Sequence, residues 1–129
     1  MEILASRMLL RPADYQTSLA FYRDRIGLAI AREYPGGTVF FAGQSLIEVA
    51  GHGRPDDAGG TFAGALWLQV RDLYAVQIQL RERGVEIARE ARQEPWTLHE
   101  MHVVDPDGVT LIFVQVPESH PLRRAAPIT

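Results

Sequence analysis

The residues with the clearest potential for chemistry stand in one short run, His99-Glu100-Met101-His102. Imidazole and carboxylate groups are common zinc ligands. The spacing differs from the helical HExxH motif, and the run sits in a predicted strand, where side chains alternate between faces. His99 and His102 would then point to opposite faces, whereas Glu100 and His102 would share one. Together with Glu48 these two could form a three-ligand metal site, but a polar pair lining a wet cleft is the interpretation that we favour.

Composition excludes several classes of chemistry. The chain of 129 residues contains no cysteine and no lysine, which excludes thiol nucleophiles, thiolate metal sites, disulfides and Schiff-base catalysis. A net charge of -3 provides no basic surface for nucleic acid. No apolar run approaches the roughly 20 residues that span a bilayer, and the N-terminal residues do not resemble a signal peptide. We therefore predict a cytoplasmic protein that contacts neither nucleic acid nor membrane.

A β-hairpin is predicted within Pro95–Gln115. The turn is Asp105-Pro106-Asp107-Gly108, in which proline presets φ for the second position and glycine supplies a positive φ later. Apolar strand segments flank this turn on both sides, as in a hairpin.

The chain also contains an internal repeat, with one copy at Met8–Ile30 and the other at Leu66–Ala88. In each copy a β-rich segment precedes an aspartate, an amphipathic stretch of helical periodicity and a glycine. Aspartate is a common N-cap and glycine a common residue after the last helical turn. The predicted caps are Asp14 and Gly27 in the first copy and Asp72 and Gly84 in the second.

Strand signals follow each predicted helix. They cover Ala29–Tyr34, Thr38–Ala42 and Leu46–Ala50 in the first copy, and Val85–Ala91, Leu98–Val104 and Val109–Val116 in the second. We divide the chain into a first module at 1–51, a linker at 52–61, a second module at 62–116 and a tail at 117–129. The predicted class is α+β: two βαβββ modules within one domain form a cupped antiparallel sheet with helices outside.

These features resemble the vicinal oxygen chelate superfamily, which includes glyoxalase I, extradiol dioxygenases, fosfomycin resistance enzymes and bleomycin resistance proteins. The resemblance rests on Ser18–Asp24, Ile26-Gly27-Leu28 and the Asp105–Gly108 turn, and it extends through Gln115. It implies two modules that form a cup, usually completed in a homodimer. It also implies that enzymes of the superfamily hold a divalent metal with His and Glu residues from the first and last strands of each module.

The positions that the resemblance assigns to metal ligands are Arg7, Glu48, Ala65 and Ile112, and only Glu48 is of a ligand type. Alanine and isoleucine cannot coordinate a metal, and a permanently charged arginine repels a cation. We therefore expect no metal cofactor, with Glu48, Glu100 and His102 as the alternative metal set.

Strand alternation predicts a cup lined by a large aromatic side chain, aliphatic groups and a few polar groups. The residues that we assign to ligand binding are Arg7, Phe40, Glu48, Trp67, Trp96, Glu100, His102 and Ile112. Arg7 and Glu48 would either orient a ligand or pair with each other. Trp96 would stand at the rim of the cup or at a dimer seam, and a phenylalanine such as Phe40 is more often core than ligand platform.

The sequence thus favours binding over catalysis, and we assign no catalytic residue. The predicted function is metal-independent sequestration of a hydrophobic or planar small molecule, with an antibiotic as a candidate ligand, by a homodimer. The alternative is a metal-dependent lyase, isomerase or dioxygenase with an atypical metal site, or a metal-free acid–base catalyst using Glu48 or His102. A third hypothesis is a structural or regulatory partner of another protein.

Overall fold

A computed structural model describes residues 1–52 and 62–121 of the chain. The predicted linker, apart from His52, lies outside the described residues, as does the predicted tail from residue 122 onward. No helix among the described residues is long and apolar enough to cross a membrane.

The helices and strands follow one another in the same order twice. The first module contains β1 (Met8–Leu10), α1 (Tyr15–Ala20), β2 (Ile30–Tyr34), β3 (Gly37–Ala42) and β4 (Ser45–Ala50). The second contains β5 (Ala65–Gln69), α2 (Leu73–Glu82), β6 (Arg89–Gln93), β7 (His99–Val104) and β8 (Thr110–Gln115). The predicted βαβββ order and the α+β class are therefore confirmed.

Each module forms its own four-stranded sheet, with the orders β1-β4-β3-β2 and β5-β8-β7-β6. The last three strands of each module pair antiparallel, but β1 runs parallel to β4 and β5 runs parallel to β8. The sheets are thus mixed, and the predicted antiparallel pairing holds for three of the four strands in each sheet. The cause is the helical crossover, because it returns the chain to the far edge of the sheet and two hairpins then bring it back beside the first strand.

The predicted helix ends are confirmed. The Asp14 carboxylate accepts from the Thr17 backbone N–H at 3.2 Å, and the Asp72 carboxylate accepts from Ala75 at 3.1 Å. Gly27 and Gly84 adopt φ values of 82° and 77°, the left-handed region that ends a helix.

The first helix differs from the second in its last turns, since α1 continues as a π-helical segment, Phe21–Ile26. The backbone N–H of Gly27 donates to the Tyr22 carbonyl five positions earlier, at 3.1 Å. Phe21, Tyr22 and Ile26 are all buried in this segment. The wider turn therefore carries three large side chains into the core of its module.

The chain separates into two compact units, and the hairpin turn belongs to the first. The first unit is Met1–Ala63 with Asp105–Val109, and the second is Gly64–Val104 with Thr110–Thr129. In the first unit, the buried Asp105 carboxylate accepts from the Tyr22 hydroxyl at 2.7 Å and from the backbone N–H groups of Asp107 and Val109. The Asp107 carboxylate in turn accepts from the Ser18 hydroxyl at 3.0 Å. The turn is thus held by side chains of the first helix.

We predict that Tyr22→Phe destabilises the fold by about 1.5–3 kcal/mol, because the buried Asp105 carboxylate loses a donor that water cannot replace. The free energy of unfolding in urea measures this loss. Tyr74→Phe is the matched control, since it removes a hydroxyl that bonds His99 at an exposed site and should cost less than about 0.5 kcal/mol. Equal losses in the two variants would contradict the assignment.

Candidate functional site

In the first unit, Glu48 lies on the sheet face that points away from α1. Its register partners are Leu9 in β1 and Val39 in β3. The neighbouring residue of β3, Thr38, points to the opposite face, where its hydroxyl contacts that of Tyr15 in α1 at 2.7 Å. Strand alternation thus places Glu48 on the face opposite to Thr38 and α1, which we call the open face of this sheet.

Glu48 belongs to a hydrogen-bonded chain of four side chains. Arg7 donates from Nη1 to Glu48 Oε1 at 2.9 Å, and the Tyr34 hydroxyl donates to Oε2. The Tyr34 oxygen also lies 3.1 Å from His52 Nε2. The Tyr34 hydrogen bond, supported by the Arg7 guanidinium, holds the pKa of Glu48 below its ordinary value. Burial and the neighbouring Glu48 raise the pKa of Tyr34 to about 12.

The position of Tyr34 depends on a glycine. A Cβ on Gly37 would lie 2.1 Å from Tyr34 Cζ, so only glycine lets the ring cross β3 toward Glu48. The Arg32 guanidinium stands 5.2 Å from the ring centroid on the same open face. Tyr34 and His52 were not assigned to the site from the sequence, and the Pro35-Gly36-Gly37 turn that follows Tyr34 was the available signal.

The lowered pKa of Glu48 predicts a specific pH dependence. A carboxyl group whose pKa is lower in the folded state stabilises the fold above its ordinary value of 4.5, and the contribution disappears as pH falls through the lowered value. We therefore expect native protein to exceed Glu48→Gln in unfolding free energy by about 1–2 kcal/mol at neutral pH. The difference in unfolding free energy should vanish at pH values below the lowered pKa of Glu48. Urea unfolding measured at a series of pH values from neutral to acidic tests this.

Glu90→Gln is the control for this experiment, because Glu90 is an exposed carboxylate that pairs with Arg81 at 2.7 Å. Its effect should be small at neutral pH. A Glu48→Gln difference that stays constant into acid would contradict the assigned hydrogen bonding.

In the second unit, one row of side chains crosses the open sheet face. Trp67 is paired in register with Ile112, Ile112 with His102, and His102 with Arg89. Trp67 is exposed even though it stands within a sheet. Burial and the nearby Arg89 lower the pKa of His102, so its imidazole is neutral at pH 7. The row thus runs from an indole through an aliphatic side chain and an imidazole to a guanidinium.

Trp96 covers a buried carboxylate next to this row. Its indole Nε1–H donates to Glu100 Oε2 at 2.7 Å. Glu100 is buried at 7% exposure, whereas 55% of Trp96 is exposed. Glu100 pairs with Val114 in register, and Val114 belongs to an apolar cluster against which Ile112 packs. The hydrogen bond therefore holds an exposed indole beside the Trp67 face.

The turn that carries Trp96 contains a strained backbone position. Thr97 has a φ of 76°, in the left-handed region that a β-branched residue rarely adopts. Its backbone N–H donates to the Glu94 carbonyl at 2.9 Å and closes the turn.

We predict that Thr97→Gly stabilises the protein by about 1 kcal/mol, because glycine adopts this φ without steric cost. Gly43→Ala is the converse control: its φ is 60° and an added Cβ would meet nothing within 4 Å. That variant should lose about 1 kcal/mol from backbone strain alone. Thermal unfolding of both variants measures the changes, and a destabilised Thr97→Gly would contradict the strain at this turn.

The predicted binding residues divide between the two units. Arg7 and Glu48 lie in the first unit and pair with each other, which was one of the two predicted alternatives. Phe40 must be removed from the set, because it is fully buried and its ring packs 6.3 Å from that of Tyr22. The remaining residues belong to the second unit, namely Trp67, Trp96, Glu100, His102 and Ile112.

The described residues contain no group of three His, Cys, Asp or Glu side chains that could hold a metal ion. The alternative set of Glu48, Glu100 and His102 is therefore not retained. Glu48 is already bound by Arg7 and Tyr34, and Glu100 by Trp96.

Comparison with known proteins gives the family. Residues 5–113 match the model of the Glyoxalase/Bleomycin resistance protein/Dioxygenase superfamily, and the chain belongs to this superfamily. It is 31% identical over 120 residues to a probable lactoylglutathione lyase from Synechocystis sp. (strain ATCC 27184 / PCC 6803 / Kazusa), covering 83% of this chain and 91% of that protein.

Solved structures share the fold. A glyoxalase/bleomycin resistance protein from Catenulispora acidiphila has a TM-score of 0.69 and 27% identity, covering 89% of this chain and 100% of the other. A bleomycin-binding protein in complex with bleomycin has a TM-score of 0.68 and 22% identity, with the same coverage.

The superfamily's divalent metal does not fit the side chains at the corresponding positions. Arg7 contributes a cation that is bound to Glu48, the one carboxylate among them. Ala65 and Ile112 stand on the second sheet with no group that could coordinate.

Proposed function

We propose that the protein binds a hydrophobic or planar organic molecule without a metal, on the open face of its second sheet. The observation that carries this proposal is the exposed Trp67 in the row with Ile112 and His102, beside the exposed Trp96. Stacking on an indole contributes about 0.5–1.5 kcal/mol beyond the burial of apolar area. A ligand that covers both indoles would remove exposed aromatic surface from water, which supplies the main driving force.

The titrating groups support binding rather than acid–base catalysis. A general base is most effective when its pKa lies near the working pH. Hydrogen bonding from Tyr34 lowers the pKa of Glu48, and burial lowers that of His102. Neither shift brings the pKa of its group closer to 7, and this supports the binding proposal.

A second candidate is a metal-dependent lyase, because the relative from Synechocystis is a probable lactoylglutathione lyase. This candidate needs metal ligands at positions where the chain has Arg7, Ala65 and Ile112. We favour binding for that reason.

Assembly as a homodimer and a cytoplasmic location remain parts of the proposal. Light scattering of the purified protein tests whether it forms a dimer.

Fluorescence titration tests the binding proposal, with bleomycin as the first probe because a protein of the same fold was solved with it. A panel of other planar aromatic antibiotics follows. We expect saturable quenching of tryptophan emission, and we expect Trp67→Ala to weaken binding by about tenfold or more. Tyr74→Ala is the matched control, since Tyr74 is an exposed aromatic residue on α2 of the same unit and should leave affinity unchanged.

Two further measurements separate the candidates. Binding that persists in chelator supports the metal-independent proposal. Stoichiometric metal in protein purified without chelator, together with lactoylglutathione lyase activity, would overturn it. Absence of quenching across the whole panel would also count against it.

A further inference from the structure

We propose that the open face of the first sheet carries a second binding site, formed by Arg7 with Glu48, Tyr34 and His52, that takes a small oxyanion such as a carboxylate or a phosphate. All four residues belong to the first unit, so this site is argued without reference to the indoles of the second. It goes beyond the proposed function, and either proposal can fail without the other.

The recognition group is the Arg7 guanidinium. A guanidinium presents several N–H donors in a planar fork that matches a carboxylate or phosphate. Within the described part of the chain, Arg7 uses one nitrogen, Nη1, to bind Glu48. Its side chain is 38% exposed, so a ligand in solution can reach it.

The cluster holds that guanidinium in one place. Glu48 is 12% exposed at its side chain and accepts from Tyr34 as well as Arg7. Tyr34 is itself fixed across Gly37, where no other side chain would fit, and it contacts His52. An arginine that is oriented before binding loses less conformational entropy when a ligand arrives, which favours affinity.

The charges around this cluster favour an anion. Arg7 and Arg32 contribute two cations next to the carboxylate of Glu48. Glu48 partly neutralises Arg7, so the site should bind anions with modest affinity. The ion pair therefore orients the guanidinium and at the same time limits its attraction for the ligand.

Titration of the labelled full-length protein tests the site. Inorganic phosphate and benzoate serve as separate probes at constant ionic strength, and NMR follows the Arg7 Nε–H and the Leu9 amide. We expect saturable shifts in the millimolar range with at least one probe, and the preferred probe tells a phosphate from a carboxylate ligand. Arg7→Gln should weaken binding by about tenfold or more, because it removes charge-assisted hydrogen bonds.

Two variants make the result specific. Arg23→Gln is the matched control, because Arg23 is a similarly exposed arginine of the same unit that pairs with Asp24 at 2.8 Å. It should leave affinity unchanged. Glu48→Gln should tighten binding by about threefold to fivefold, since it removes the neighbouring negative charge. Absence of saturable shifts in the native protein, equal losses in both arginine variants, or weaker binding in Glu48→Gln would overturn the proposal.

Discussion

The turn between β7 and β8 depends on one buried carboxylate, that of Asp105. It accepts hydrogen bonds from the Tyr22 hydroxyl and from two backbone N–H groups of its own turn. Without these donors, burial of the charge would be costly. The turn starts the β7–β8 pairing, and this register places Ile112 opposite His102. Since a slip by one residue would move every side chain to the other face, the row that includes Trp67 requires this turn.

The repeat has produced two sheets with the same topology and different chemistry at equivalent places. Leu9 pairs with Glu48 in the first sheet, as Trp67 pairs with Ile112 in the second. The first position is polar and has become the centre of a hydrogen-bonded cluster. The second is apolar and completes an aromatic face. Superfamily enzymes are expected to use both positions for one metal. In this chain we propose that the first position belongs to an oxyanion site and the second to a face that binds an aromatic ligand.

Local signals in the sequence were sufficient to predict the order of the helices and strands. The caps at Asp14 and Asp72 depend only on nearby backbone groups, so the sequence predicted them. Long-range register was not predictable to the same degree. Phe40 pairs with Ile47 on the core face, and no residue pattern near Phe40 in the sequence indicates this pairing. The bond from Tyr34 to Glu48 crosses an intervening strand and follows an irregularity in β2, so it depends on tertiary structure.

The ion pair between Arg7 and Glu48 gives the Glu48 carboxylate a structural role that requires no metal. The cost of burying part of a carboxylate must be offset, either by a metal ion or by hydrogen-bond donors of the protein. The guanidinium and the Tyr34 hydroxyl supply that compensation at the two oxygens of Glu48. Replacing Arg7 alone would leave the Glu48 carboxylate with Tyr34 as its remaining described partner. Ala65 and Ile112 would still have no group that could coordinate a metal. A metal site built on the positions that the resemblance assigns would therefore need concerted changes at Arg7, Ala65 and Ile112, and each change alone would be unfavourable or without effect.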